Sequence, residues 1–373
     1  MKRTVLMATV AAGLLVFGLA SCAQTTPITG TGDEALSGSI ASLEKVEIMG
    51  TEQWLLMRGK DADAPVLLWL AGGPGGSEIG RTRDYLSELE ESFVFVNWEQ
   101  PGTGKSFGAL DMRKATYEEF VDHTIAVSEY LAERFGKERI YLAGHSWGTI
   151  IGIIAAERRP DLYAAYIGAA QQVNFIENDQ IGYDLVLERA EAAGDERTVN
   201  RLEKNGPPPY TAEDAGKYSY LFQRVFRYSP TPAGGHEINE MSIFTPDEYT
   251  LRDTVNLVRG VLRGVRYIYP QLVGLDFTQE ITRLEVPTFF VTGRYDYTCV
   301  QDITFDYFQS LEAPVKRHYW FESSGHEACF QESEKFVQIL TDEVLPLSTA
   351  WAAGDTRVAG EAELAGVTRE ASR

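Results

Sequence analysis

The sequence predicts an α/β fold: a mostly parallel, doubly wound sheet, covered by helices on both faces, with a helical cap inserted ahead of its last strands. Two observations carry this expectation. From Val66 onward, continuous apolar runs suited to buried parallel strands alternate with helix-like segments. The alternation lapses over residues 171–279, which are polar, helix-like and rich in Tyr, Phe and Arg, and the strand pattern resumes at Pro287. A third observation ties the fold to chemistry. Gly73, Ser146, Asp296 and His326 each closely follow a predicted strand. Sheets of this kind bind their ligands at the carboxyl ends of strands.

The chain has 373 residues and a net charge of −20, spread along its length rather than gathered in blocks. That argues against nucleic acid as a partner. Lys2 and Arg3 precede an apolar run, residues 5–20, that leads into Leu19-Ala20-Ser21-Cys22. This ending resembles the bacterial lipoprotein box. The resemblance implies a signal segment over residues 1–22, cleavage before Cys22, lipid on its thiol, and an extracytoplasmic, membrane-anchored protein. A plain signal peptide and a short membrane anchor are the competing readings. The run is shorter than the ~20 apolar residues of a spanning helix. Residues 23–42, rich in Thr, Gly and Ser, read as a flexible tether.

The core is expected in two pieces, residues 43–170 and 280–348. Residues 45–57 carry strand formers broken at Gly50-Thr51, the pattern of a hairpin. Residues 66–70 form an apolar strand ending in Ala71-Gly72-Gly73-Pro74-Gly75-Gly76, where backbone N–H groups can approach a ligand closely. Residues 93–98 form the next strand and lead into Glu99-Gln100-Pro101-Gly102-Thr103-Gly104-Lys105-Ser106. Its Gly-Lys-Ser ending is not a phosphate-binding P-loop, which needs glycine where Glu99 stands. No cofactor and no metal are expected. Residues 116–135 have helical spacing closed by Gly136. Residues 140–143 are a strand, residues 149–159 a helix stopped by Pro160, and residues 164–169 another strand. After the cap come a strand at 288–293, a helix at 300–311, a last strand at 316–321 and a helix at 331–345. Residues 349–373, small and charged without apolar period, read as a disordered tail.

Gly144-His145-Ser146-Trp147-Gly148 stands between strand and helix, the context of a nucleophile elbow. A sharp turn there points the Ser146 hydroxyl out of the sheet, and the flanking glycines keep side chains out of the crowded strand–helix junction. The N–H of Trp147 then faces the site as one oxyanion donor, and Gly73 is the candidate for the second. Of the five histidines, His123 lies in a helix pattern, His145 inside the elbow, His236 in a Gly- and Pro-rich loop and His318 inside a strand. His326 alone follows the last strand in a loop of small residues, which suits a general base. Asp296 is the candidate acid, since the competing Asp302 falls on a helix. The chain order Ser, Asp, His is that of one class of serine hydrolases.

With these residues in place the chain resembles the α/β-hydrolase fold and, within it, the proline iminopeptidase family of serine peptidases. The resemblance covers roughly residues 43–345. It is strong at Gly72-Gly73-Pro74-Gly75-Gly76, at the elbow and at the Asp296 and His326 loops, and weak across the cap. It implies release of N-terminal residues, often proline, from short peptides, with the triad and oxyanion roles falling to Ser146, Asp296, His326, Trp147 and Gly73. Two departures bear on the proline preference: Ala71 stands where the family has His, and Glu99-Gln100-Pro101-Gly102 stands where it has Asp-Gln-Arg-Gly. The family also holds the substrate's amine with cap acids, for which Glu177 and Asp179 at the cap entrance are the candidates.

Two other function classes compete: a carboxylesterase on the same machinery, acting on small acyl esters, and a non-catalytic surface-binding lipoprotein. Beyond Cys22 the cysteines are Cys299 and Cys329, each three residues past a triad member. Equal offsets on two touching loops leave two readings open, a disulfide beside the site or two buried free thiols.

Overall fold

The computed structural model describes residues 24–30, 32, 34–230 and 235–355. The expected signal segment, with Cys22, and the end of the expected tail lie outside the described residues. Eight strands form one sheet in the order β1-β2-β4-β3-β5-β6-β7-β8. The strands are β1 Ile40–Ile48, β2 Thr51–Gly59, β3 Val66–Leu70, β4 Val94–Glu99, β5 Ile140–His145, β6 Tyr163–Ala169, β7 Thr288–Gly293 and β8 Lys316–Phe321. β1 and β2 form the antiparallel hairpin and β2 joins β4 antiparallel. The other pairings are parallel.

The sheet is buried on both faces because successive side chains of its central strands point into different cores. Leu68 and Leu70 of β3 join one apolar cluster, and Leu67 and Trp69 join the other. The first cluster is covered by helices α2 (Tyr117–Arg134) and α3 (Trp147–Arg158), which follow the short helix α1 (Ile79–Tyr85). Thr116 starts α2 with a capping box to Glu119, which satisfies donors that a helix start leaves open.

Between β6 and β7 the chain makes helices α4 (Phe175–Ala192), α5 (Glu196–Asn205), α6 (Ala215–Tyr228), α7 (Leu251–Arg263) and the short α8 (Phe277–Glu280). After β7 come α9 (Gln301–Ser310), and after β8 come α10 (Ala328–Gln331), α11 (Ser333–Ile339) and α12 (Leu345–Ala352). The last group covers the second cluster, with Phe330, Phe336 and Leu340 buried there.

Two expected boundaries move. Much of the expected tether, residues 23–42, is packed on the fold. Ile28 is buried, Thr29 bridges Ala35, and the Arg58 guanidinium donates to Thr25 and Thr26. The first residues of the expected tail, 349–352, instead complete α12, whose Ser348 hydroxyl bonds that of Tyr141 in the core at 2.8 Å. What holds both segments is contact with distant residues, which no local pattern records. Among the described residues no helix is long and apolar enough to cross a membrane.

Candidate active site

β5 runs into α3 through one residue, Ser146, whose φ of 52° and ψ of −117° are costly for a residue with a side chain. The junction is too tight for side chains on either flank. A Cβ on Gly144 would lie 2.5 Å from the Gly148 carbonyl oxygen, and one on Gly148 would collide with the Leu70 carbonyl. The Ser146 N–H donates to the Ala169 carbonyl at 3.0 Å, which ties the turn to β6.

The structure brings Ser146, His326 and Asp296 together. His326 Nε2 lies 3.0 Å from Ser146 Oγ. On the other side of the ring, Nδ1 lies 3.0 and 3.2 Å from the two Asp296 carboxylate oxygens. Asp296 is fully buried, and its Oδ1 also accepts the N–H groups of Thr298 at 2.8 Å and Cys299 at 2.9 Å. A carboxylate held this way fixes the imidazole with Nε2 facing the hydroxyl, the geometry in which a base can take the serine proton.

Trp147 is the first residue of α3, so its N–H has no partner four residues back in the helix. Gly73 and Ser146 line the same cavity, of about 240 Å³. Gln100 ties the Trp147 side chain to the start of the glycine loop, because it accepts from the Trp147 indole at 2.8 Å and donates to the Ala71 carbonyl at 3.0 Å.

The cavity has an apolar side from the cap, formed by Phe222, Phe226, Ile243, Val261 and Val265, and a charged side from the core, formed by Glu78, Arg81, His145 and Glu327. The charged side was not singled out in the sequence, although Glu78 and Arg81 follow the glycine loop and Glu327 follows His326. Burial alone would push the His145 imidazolium down, but the Glu78 carboxylate 2.7 Å away raises it to about 9. Charged at neutral pH, His145 donates through Nδ1 to Glu78 and through Nε2 to the His326 carbonyl at 3.1 Å. Arg81 pairs with Glu327 at 2.6 Å. Burial opposes ionisation of Glu327, yet the charges of Arg81 and His145 hold its carboxyl below the usual range.

The expected amine-binding acids are placed differently. Glu177 is exposed at the start of α4, where its N–H is capped by Asn174, and it does not line the cavity. Helical spacing puts Asp179 on another face of α4. Asp179 is buried and accepts from the Tyr269 hydroxyl at 2.9 and 3.1 Å, one layer behind the cavity wall. Burial pushes its carboxyl up to about 7, against the hydrogen bonds of Tyr269 and Asn178.

The disulfide reading is corrected, because both Cys299 and Cys329 are free, buried thiols. Cys299 sits against Ser146 and Asp296, whereas Cys329, in α10, belongs to the second core cluster. Burial, and then the Asp296 charge, push the Cys299 thiol well up. Asp296, Cys299 and His326 offer atoms within 4.8 Å of one another. As donors they suit a metal poorly, since the thiol stays protonated and the carboxylate is committed to the imidazole and two N–H groups.

A family model described as serine aminopeptidase, S33, matches residues 74–199. A probable aminopeptidase of Bacillus subtilis, YbaC, is 31% identical over 310 residues, covering 81% of this chain and 96% of the relative. A proline iminopeptidase of Saccharolobus solfataricus is 26% identical over 293 residues, covering 74% and 83%. Among solved structures, the proline iminopeptidase of Mycobacterium smegmatis superposes with a TM-score of 0.60 at 17% identity, covering 83% of this chain and all of that one.

Proposed function

The chain belongs to the serine aminopeptidase family of α/β-hydrolases, and from that premise we propose that, as in a proline iminopeptidase, Ser146 opens the bond after the N-terminal residue of short peptides. The observation that carries the mechanism is the relay of Ser146, His326 and Asp296 at 3.0 Å per link on the cavity floor. His326 Nε2 takes the hydroxyl proton as Ser146 Oγ bonds to the carbonyl carbon. The N–H groups of Trp147 and Gly73 hold the oxygen as it gains charge. His326 then gives that proton to the departing amine, which leaves an acyl-enzyme. Water, deprotonated by the same imidazole, releases the amino acid and restores Ser146.

The carboxylates among the described lining residues are those of Glu78 and Glu327. A substrate ammonium at that end would share Glu327 with Arg81. The apolar side, from Phe222 to Val265, would take the first side chain, and it is also what favours the second reading, a carboxylesterase for small acyl esters. Export is a further part of the proposal. The Leu-Ala-Ser-Cys ending supports lipid on Cys22 and an extracytoplasmic, membrane-anchored enzyme.

The test is a panel of chromogenic substrates against the chain lacking residues 1–22. Free aminoacyl anilides should be cleaved, their N-acetylated forms should not, and Ser146→Ala should lose about 10³-fold or more in kcat. Equal turnover of acetylated substrates and butyrate esters would move the assignment to the esterase.

A further inference from the structure

Helix α7 has three sides. Asn256, Leu257 and Gly260 face the core. Leu251, Val255, Val258 and Leu262 recur at helical spacing along one stripe and are 58, 50, 44 and 65% exposed. Helical spacing puts Arg252, Arg259 and Arg263 on the third side, continued by Arg266 in the turn after α7, with Arg259 and Arg263 stacked over Phe107 at 4.3 and 4.7 Å. The one acid within residues 251–266, Asp253, is paired with Lys105 at 3.0 Å. An apolar stripe edged by cations, in a chain of net charge −20, is the opposite of what self-solvation of this acidic surface requires. It is the composition of a helix that lies in a membrane interface, with apolar side chains among acyl chains and guanidinium groups at the phosphates.

The exit of the N-terminal segment points to the same surface. The Thr25 hydroxyl donates to Glu248 at 2.8 Å and accepts from Arg58 at 2.7 Å. Glu248 stands three residues before Leu251, the first residue of the stripe. Three steps between Cα atoms separate Thr25 from Cys22, which is at most about 11 Å. A lipid on Cys22 would therefore hold the headgroups close to the start of α7. This second argument rests on the proposed anchor, and the first does not.

We propose that α7 is a docking face for an anionic lipid surface. The stripe is continuous with the catalytic cavity, because Val261 and Val265 line its cap side. Docking would therefore set the cavity mouth, with the half-exposed Phe222 and Phe226, at the interface.

The experiment is co-sedimentation of the chain from Gln24 onward with vesicles of phosphatidylglycerol and phosphatidylcholine, against phosphatidylcholine alone. Residues 24–355 contain the whole sheet and both core clusters, so this chain keeps its fold. Binding should need the anionic lipid and weaken with salt. Val258→Glu with Leu262→Glu should weaken it about tenfold or more, and so should Arg252→Gln with Arg259→Gln and Arg266→Gln. None of these five residues lines the cavity, so turnover of a small soluble substrate should stay unchanged and report intact folding. No binding by the parent chain, or equal binding by the variants, overturns the proposal. A concentration-dependent dimer lost in Val258→Glu with Leu262→Glu also overturns it, since the stripe would then belong to a second copy. Because the tested chain lacks Cys22, the outcome is independent of lipidation and of the peptide-versus-ester assignment.

Discussion

At the scale of single residues, His145 and Glu78 hold a full charge pair where both side chains are nearly out of water. The pair supports the site indirectly, because His145 also donates to the His326 carbonyl and so fixes the loop that carries the base. Removing one partner of such a pair leaves the other charge buried, at a cost of about 3–5 kcal/mol. Glu78→Gln should therefore lower stability by roughly that amount, and kcat should fall with it. The pH dependence has a definite sign. The folded imidazolium titrates near 9, above the ~6.5 of an unfolded histidine. Its contribution is full below the unfolded value and is lost as pH rises toward 9 and beyond. Urea unfolding from pH 6 to 9.5 should show parent stability falling across that window and a nearly flat profile in Glu78→Gln. Parallel slopes would remove the charged pair from the account. Ser146, Asp296 and His326 were legible in the sequence because each sits just past a strand. His145 was legible as a position and not as a charge, since its partner lies 67 residues away along the chain.

At the scale of elements, α7 meets the glycine loop backbone to backbone. A Cβ on Gly260 would lie 2.7 Å from the Gly75 carbonyl oxygen and 2.9 Å from Thr103 Oγ1, and Thr103 itself donates to Gly75 at 2.7 Å. Tyr249, just ahead of the helix, bonds the buried Glu99 at 2.7 Å, and Lys105 reaches Asp253. Cap helix, glycine loop and the loop after β4 are thus one packed unit, with Gly73 inside it. Gly260→Val should push α7 off the loop at about 1–3 kcal/mol, the usual cost of overpacking. The expected result is a fall in kcat/KM of about tenfold or more, with far-UV circular dichroism unchanged. Unaltered kinetics would mean that the loop holds its shape without the helix. The strands were readable because buried parallel strands are continuous apolar runs. The cap was readable only as helical, since its helices meet the core through glycine contacts and tyrosine hydroxyls that no local period records. Asp179 shows the difference: its place at the cap entrance was visible, its burial behind Tyr269 was not.

At the scale of the whole molecule, the proposed anchor and the proposed docking face bear on how the folded part would be held at a membrane. A long tether would let the enzyme tumble freely above a membrane. The contacts of Thr25 and Thr26 leave little slack ahead of the fold, because Arg58 clamps both against β2. An anchor at Cys22 would then fix orientation as well as location. If Cys22 carries the lipid, Cys22→Ala in the full chain should either move the protein from the membrane to the soluble fraction or leave it unprocessed at higher mass. One acyl chain gives only marginal binding, whereas a lipid combined with a cationic, apolar face gives stable attachment. The variant that is processed should therefore still associate weakly with anionic membranes and be released by salt. The same variant carrying Val258→Glu and Leu262→Glu should be fully soluble. Fractionation with mass measurement of each form checks the sequence of outcomes. An unchanged mature mass and membrane fraction in Cys22→Ala would show that the attachment does not run through Cys22.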